Sequence, residues 1–139
     1  MIHRVKWIAF FQSTLPTPAY PDEARPVAER IASGLRARGT VVNRIEKWWD
    51  NVRLECRISY TSYFIGVTYY VEANPPEFSV HVLPQNFWGR LFQRAKPEVV
   101  DSLTRQLDEV LHSDSSFSKI RWYRSLDMPT RSDGTAHPS

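Results

Sequence analysis

At 139 residues and 16.2 kDa, with 42% hydrophobic residues, the chain is sized for one globular domain with one core and is too short for a multidomain enzyme. Charged residues at 24% and aromatics at 13% exclude disorder over the whole length, five Gly and ten Pro exclude collagen-like and glycine-rich repeats, and no run of about 18 apolar residues offers a membrane-spanning helix. The 18 basic residues exceed the 15 acidic ones only slightly, for a net charge of +3, and the single cysteine, Cys56, cannot form an internal disulfide. A reducing, cytoplasmic location is the expectation. Arginine outnumbers lysine 14 to 4, which suits bidentate recognition of carboxylate or phosphate but follows equally from GC-rich coding.

In chain order, His3, Arg4 and Lys6 precede the apolar run Trp7 to Phe11, which is shorter than the roughly 7 to 15 residues of a signal-peptide core and reads as part of a strand from Val5 to Phe11. Residues 12–21, with Pro16, Pro18 and Pro21, form an extended connection. A helix follows, with Asp22 expected to cap its first turn, Pro26 near its start, and Val27, Ile31 and Leu35 on one stripe. Arg36 and Arg38 suit its last turn, and Gly39 ends it.

From Thr40 to Gln85 the period becomes two. Val41 and Ile45 mark a weak strand ahead of Trp48 and Trp49. Val52, Leu54, Cys56, Ile58 and Tyr60 then alternate with Arg53, Glu55, Arg57 and Ser59, and after a tight hairpin at Thr61 and Ser62 the stripe resumes as Tyr63, Ile65, Val67, Tyr69 and Val71. Asn74, Pro75 and Pro76 turn the chain into a strand containing Phe78, Val80 and Val82. Phe87 to Phe92 reads as a short amphipathic turn or helix. Pro97 opens a second long helix with Val100, Leu103, Leu107, Val110 and Leu111 on one face, and after a polar loop a last strand runs from Phe117 to Arg124. No internal repeat is present. Residues 1–126 therefore form one domain, and 127–139, with Pro129, Gly134 and Pro138, form a polar tail expected to be disordered.

The order β-α-β-β-β-β-α-β predicts an α+β fold: a largely antiparallel sheet, made of a four-strand meander plus the N- and C-terminal strands, with two helices packed on one face. The opposite face, carrying Arg53, Glu55, Arg57, Phe64, Thr68, Tyr70 and His81, is expected to be open to solvent.

No catalytic constellation is legible. Cys56 falls on the apolar side of its strand, where a thiolate would be desolvated, and reads as a buried small hydrophobe. Ser116 and Lys119 have S-x-x-K spacing but precede a strand and lack the companion elements of serine acylases. His3, His81, His112 and His137 show neither HExxH nor CxxC partners, so no metal site is expected. His112 reads as a cation at a helix C-terminus and His81 as a solvated strand residue. Gly34, Gly39, Gly66 and Gly89 are isolated, so no phosphate loop exists and no cofactor is implied. The expectation is a protein without enzymatic activity.

Trp48 and Trp49 are the most unusual local feature. Adjacent strand residues point to opposite faces, so at most one indole enters the core. The other is either an interface anchor or is covered by the proline-rich connection or the last strand. Trp48, Trp49, Arg53, Arg57, Phe64 and Tyr70 are the candidate partner-binding residues. Aromatics interleaved with arginine also suit single-stranded nucleic acid, but Glu46, Asp50, Glu55 and Glu72 share the same strands, and a mixed-sign face suits a protein partner better than a polyanion.

The run from Trp48 to Tyr123, with its Trp/Asp turn, two aromatic-rich strands, LPQNFWGRLFQR, a helix and FSKIRWYR, resembles small bacterial immunity proteins that neutralise polymorphic or contact-dependent toxins. The resemblance implies direct binding of a protein toxin or effector and transfers no site residue. The alternatives are a nucleic-acid-binding regulatory module and a chaperone for a secreted effector.

Overall fold

The computed structural model describes residues 7–83, 96–124 and 134–138. Within them the chain forms β1 (Trp7–Ser13), α1 (Arg25–Ala37), β2 (Val41–Trp48), β3 (Asn51–Ile58), β4 (Thr61–Tyr70), β5 (Glu77–Val82), α2 (Pro97–Ser113) and β6 (Phe117–Arg124). The strands make a six-stranded antiparallel sheet in the order β2-β3-β4-β5-β1-β6, and the two helices pack on one face of it. This is the α+β architecture that the element order predicts.

β2 to β5 form the meander, while β1 lies between β5 and β6 and is hydrogen-bonded on both sides. Its composition explains that place. Ala9 and Phe11 are buried on the helix side and Ile8 on the other, as suits a strand covered on both faces. Against β1, β6 carries a bulge: Lys119 and Ile120 oppose Phe11 alone, and Lys119 takes a φ of 56° to accommodate the extra residue.

α1 buries Val27, Ala28, Ile31, Ala32 and Leu35 as one stripe. Its C-terminus closes as a Schellman motif: Thr40 N–H donates to the Leu35 carbonyl and Gly39 N–H to that of Arg36, each at 3.0 Å, with Gly39 at φ 88°. The N-terminus differs from expectation. The cap residue is Ala24, no side chain caps the turn, and the Asp22 carboxylate instead lies 3.6 Å from Arg25 Nε.

α2 buries Leu103, Thr104, Leu107, Val110 and Leu111. Its start is tied to the sheet by the Tyr63 hydroxyl, which accepts the Lys96 N–H at 3.1 Å and so satisfies one of the first-turn amides. The helices face an inner sheet surface of Phe11, Leu54, Cys56, Ile65, Val67, Val80 and Trp122, all buried.

Two positions depart from the alternating pattern. The β3–β4 turn lies at Ser59 and Tyr60, with φ 50° and 68°, and Ile58 pairs with Thr61. A two-residue turn with both central residues left-handed matches the twist of the strands it joins, and it puts Tyr60 85% into solvent instead of on the core stripe. Val71 follows the end of β4 and is exposed as well. The expected short helix at Phe87 to Phe92 lies outside the described residues.

Residues 134–138, in the segment expected to be a disordered tail, lie against the sheet. Thr135 and Trp122 exchange backbone hydrogen bonds of 2.7 and 2.9 Å, so this segment continues the ladder at the β6 edge. Gly134 permits the approach, because a Cβ there would stand 2.6 Å from the Trp122 carbonyl oxygen.

Candidate functional site

The β2–β3 hairpin turns at Trp49 and Asp50, because Trp48 pairs with Asn51. Trp49 occupies φ 29° and is 90% exposed. Trp48 is 40% exposed, with the Arg53 guanidinium 4.3 Å from its ring centroid and its Nε1 donating to Glu46 Oε1 at 3.1 Å. Neither indole enters the core. The Lys47 ammonium donates to the carbonyls of Trp48 and Trp49, which holds the turn together.

The six residues proposed for partner binding do not form one patch. Trp48 and Trp49 lie at the hairpin tip, where Arg53 reaches the Trp48 ring. Arg57 and Phe64 lie toward the other end of the β3–β4 ladder, opposite Ser62 and Glu55, with Arg57 exposed and Phe64 half-buried. Tyr70 sits beyond Thr68 at the far end of β4, and its ring packs on Phe10 at 5.4 Å.

The sheet face opposite the helices is more sheltered than expected. Ile8, Ser79 and Tyr123 are buried there, and Phe10 stacks edge-on with Tyr123 at 5.8 Å. His81 is not a solvated residue. Burial, with a smaller contribution from Arg53, pushes its pKa down to about 4, so the ring is neutral near pH 7. Arg53, Gly66 and His81 form one row across β3, β4 and β5, and the Leu83 side chain lies over the glycine. Among the described residues, the buried side-chain polar atoms without a partner are Asn51 Oδ1, Arg53 Nε, Ser79 Oγ, His81 Nδ1 and Arg121 Nε, and all five project from this face.

Two ion pairs lie on that face. Arg44 Nε donates to Glu55 Oε1 at 3.0 Å and the Ser62 hydroxyl donates to Glu55 Oε2 at 2.9 Å. The Ser62 bond holds the Glu55 carboxyl below the usual carboxylate range, against the opposing effect of burial, and Arg44 adds to it. Arg121 grips Glu77 with two bonds of 2.8 and 2.9 Å. On the helix side, Arg30 in the middle of α1 and Asp114 at the C-terminal end of α2 line a shallow groove and form a 2.7 Å ion pair.

Cys56 takes no part in any site. It is fully buried between helices and sheet, and desolvation pushes its thiol up to about 12.

A second constellation was not anticipated. Asp108 and His112, four residues apart in the last turns of α2, meet His137 from the C-terminal segment, where the sequence pattern led us to expect no metal-ligand cluster. His112 Nδ1 lies 2.9 Å from Asp108 Oδ1, His137 Nδ1 lies 2.7 Å from Oδ2, and the two rings are 4.4 Å apart. The Trp122 indole donates to Asp108 Oδ1 at 2.8 Å, fixing the carboxylate from behind. The D-x-x-x-H spacing on a helix was readable; the approach of His137 depends on the edge pairing of Thr135 and leaves no local signal.

Among the described residues no helix is long and apolar enough to cross a membrane. Compared with known proteins, the chain matches no family model, no curated protein and no solved structure.

Proposed function

We propose that the chain is a non-enzymatic binding protein of the toxin-immunity type, which engages a protein partner through the tip and free edge of the β2–β3 hairpin with Trp49 as its anchor. The observation that carries this reading is the state of Trp49, left-handed at φ 29° and 90% exposed. A bulky residue in that region costs on the order of 1–3 kcal/mol, and an exposed indole recovers none of it by burial in the isolated chain. Asparagine or glycine would suit the turn better. Tryptophan there is accounted for by a contact made outside the chain, where Trp and Arg contribute most to binding.

The edges of the sheet favour the same end of the molecule. β6 is covered by residues 134–138, whereas β2 pairs with no strand but β3 among the described residues and leaves Trp48 exposed next to Trp49. A polyanion is the poorer partner, because Arg44 and Arg121 are engaged by Glu55 and Glu77. The immunity assignment itself rests on the resemblance of residues 48–123.

The test is Trp49→Asn, assayed with a protein toxin found to be encoded in a reading frame beside that of this chain. Wild type is expected to protect cells from that toxin and bind it in calorimetry. The variant should keep or slightly raise its unfolding midpoint while losing about 2 kcal/mol of affinity, roughly 30-fold. A variant that protects as well as wild type would exclude the hairpin tip, and a wild type that neither protects nor binds would exclude the immunity reading.

A further inference from the structure

We propose that Asp108, His112 and His137 bind one zinc-like divalent transition-metal ion, which clips the C-terminal segment onto the end of α2. The geometry is close to that of ligands around such an ion. One donor atom from each residue lies within 4.8 Å of the other two, and the carboxylate oxygens stand 2.9 and 2.7 Å from the two Nδ1 atoms. Ligands about 2.0–2.1 Å from a tetrahedral ion are separated by ~3.3 Å, so modest side-chain rotations open the space required. Binding through Nδ1 requires both rings to present that nitrogen unprotonated, and His112 Nδ1 to leave the Asp108 backbone carbonyl, which lies 3.0 Å away.

The supporting structure is specific. The Trp122 indole N–H orients the Asp108 carboxylate at 2.8 Å, the role that an outer hydrogen bond plays behind a metal ligand. His137 is brought in by the backbone. Gly134 passes where a Cβ would collide with the Trp122 carbonyl, Thr135 pairs with Trp122, and the Thr135 hydroxyl donates to the His137 carbonyl at 2.7 Å. Three consecutive features thus aim one exposed histidine at a carboxylate already paired with another.

The donor set selects the ion. Two imidazoles and one carboxylate fit zinc and its neighbours, whereas calcium and magnesium take oxygen ligands and copper(I) prefers sulfur. Three protein ligands leave a further position for water on the solvent side, where His112 and His137 are exposed. Bound there, the ion closes a loop from α2 through β6 to residue 137 and secures the segment that covers the β6 edge.

The experiment is titration of the full-length, chelator-treated protein with Zn2+ by calorimetry, with visible absorption of bound Co2+ as a report on coordination and thermal unfolding run alongside. The expected result is one Zn2+ per chain at micromolar affinity or tighter, with a raised unfolding temperature. His137→Gln changes an exposed side chain, so it should fold as the metal-free wild type does yet bind at least about 10-fold more weakly, as should His112→Gln. Absence of stoichiometric binding by wild type, or wild-type affinity in His137→Gln, would overturn the site.

Discussion

His81 and Cys56 stand on opposite faces of the sheet and are kept uncharged by the same cause, removal from water. For Cys56, with its thiol pushed up to about 12, the thiolate is absent near neutral pH and the side chain is fully buried. Ellman-type reagents should therefore modify the folded protein only as fast as it opens, and the rate should rise with added urea. Rapid modification in native buffer would contradict the register of β3. For His81 the sign of the pH effect follows from a folded value of about 4 against an ordinary 6.5. Between those values the unfolded chain binds the extra proton and the folded chain does not, so the contribution of His81 is complete above pH 6.5 and is lost as pH falls toward 4. The urea midpoint should drop by an amount equivalent to about 2 kcal/mol from pH 7 to pH 5. His81→Phe should flatten that slope, and an unchanged slope in the variant would place the proton uptake elsewhere.

At the scale of elements, the contact between α1 and α2 depends on an absent side chain. Gly34 lies inside α1, where alanine would ordinarily be favoured by about 1 kcal/mol. A Cβ at that position would stand 2.7 and 3.0 Å from the two methyl groups of Val110 and 3.4 Å from its Cβ, and a β-branched residue on a helix has little freedom to retreat. Overpacking outweighs propensity here. Gly34→Ala should destabilise the protein by about 1–3 kcal/mol, and Val110→Ala in the same chain should restore part of the loss by removing the colliding methyls. Additive losses in the double variant would show that the two residues are not in contact. The helices are also joined at one end by the Thr40 hydroxyl, which donates to Gln106 Oε1 at 2.6 Å, and by the Arg38 to Glu109 pair at 3.5 Å. Both links sit near the C-terminus of α1, so the packing at Gly34 governs how closely the helices approach along their length.

For the molecule as a whole, the sheet has one covered edge and one free edge. The cover over β6 is made by residues 134–138, which supply two backbone bonds to Trp122 and a partner for Asp108. Composition alone implies that removing residues 127–139 is silent. The structure implies otherwise: ending the chain after Asp133 should cost about 1–3 kcal/mol in chemical denaturation, from two lost ladder bonds at about 0.5–1.5 kcal/mol each. It should also leave an unpaired edge that favours association at high protein concentration. An unchanged midpoint would mean that this segment contributes no stability. The free edge at β2 is protected by other means, a register irregularity between Val42 and Arg44 and the charges of Arg44, Glu46 and Lys47.

The sequence by itself determined the strands and two long helices of the described residues and the inner face of the sheet, because periodicity and chain punctuation act within a few residues. The stripe Val27, Ile31 and Leu35 ended by Gly39, the alternation from Val52 to Ile58, and Pro97 at the start of α2 are all local statements, and each appears in the fold. What alternation could not locate was the β3–β4 turn, since Ser59 and Tyr60 extend the pattern unbroken and only pairing across the hairpin selects the two residues that turn. Tertiary structure alone decided the rest. The insertion of β1 between β5 and β6, the burial of His81, the exposure of both Trp48 and Trp49, and the meeting of Asp108 and His112 with His137 depend on neighbours distant in the chain. A side chain's type sets what chemistry it can do, but its solvation and partners are properties of the folded chain.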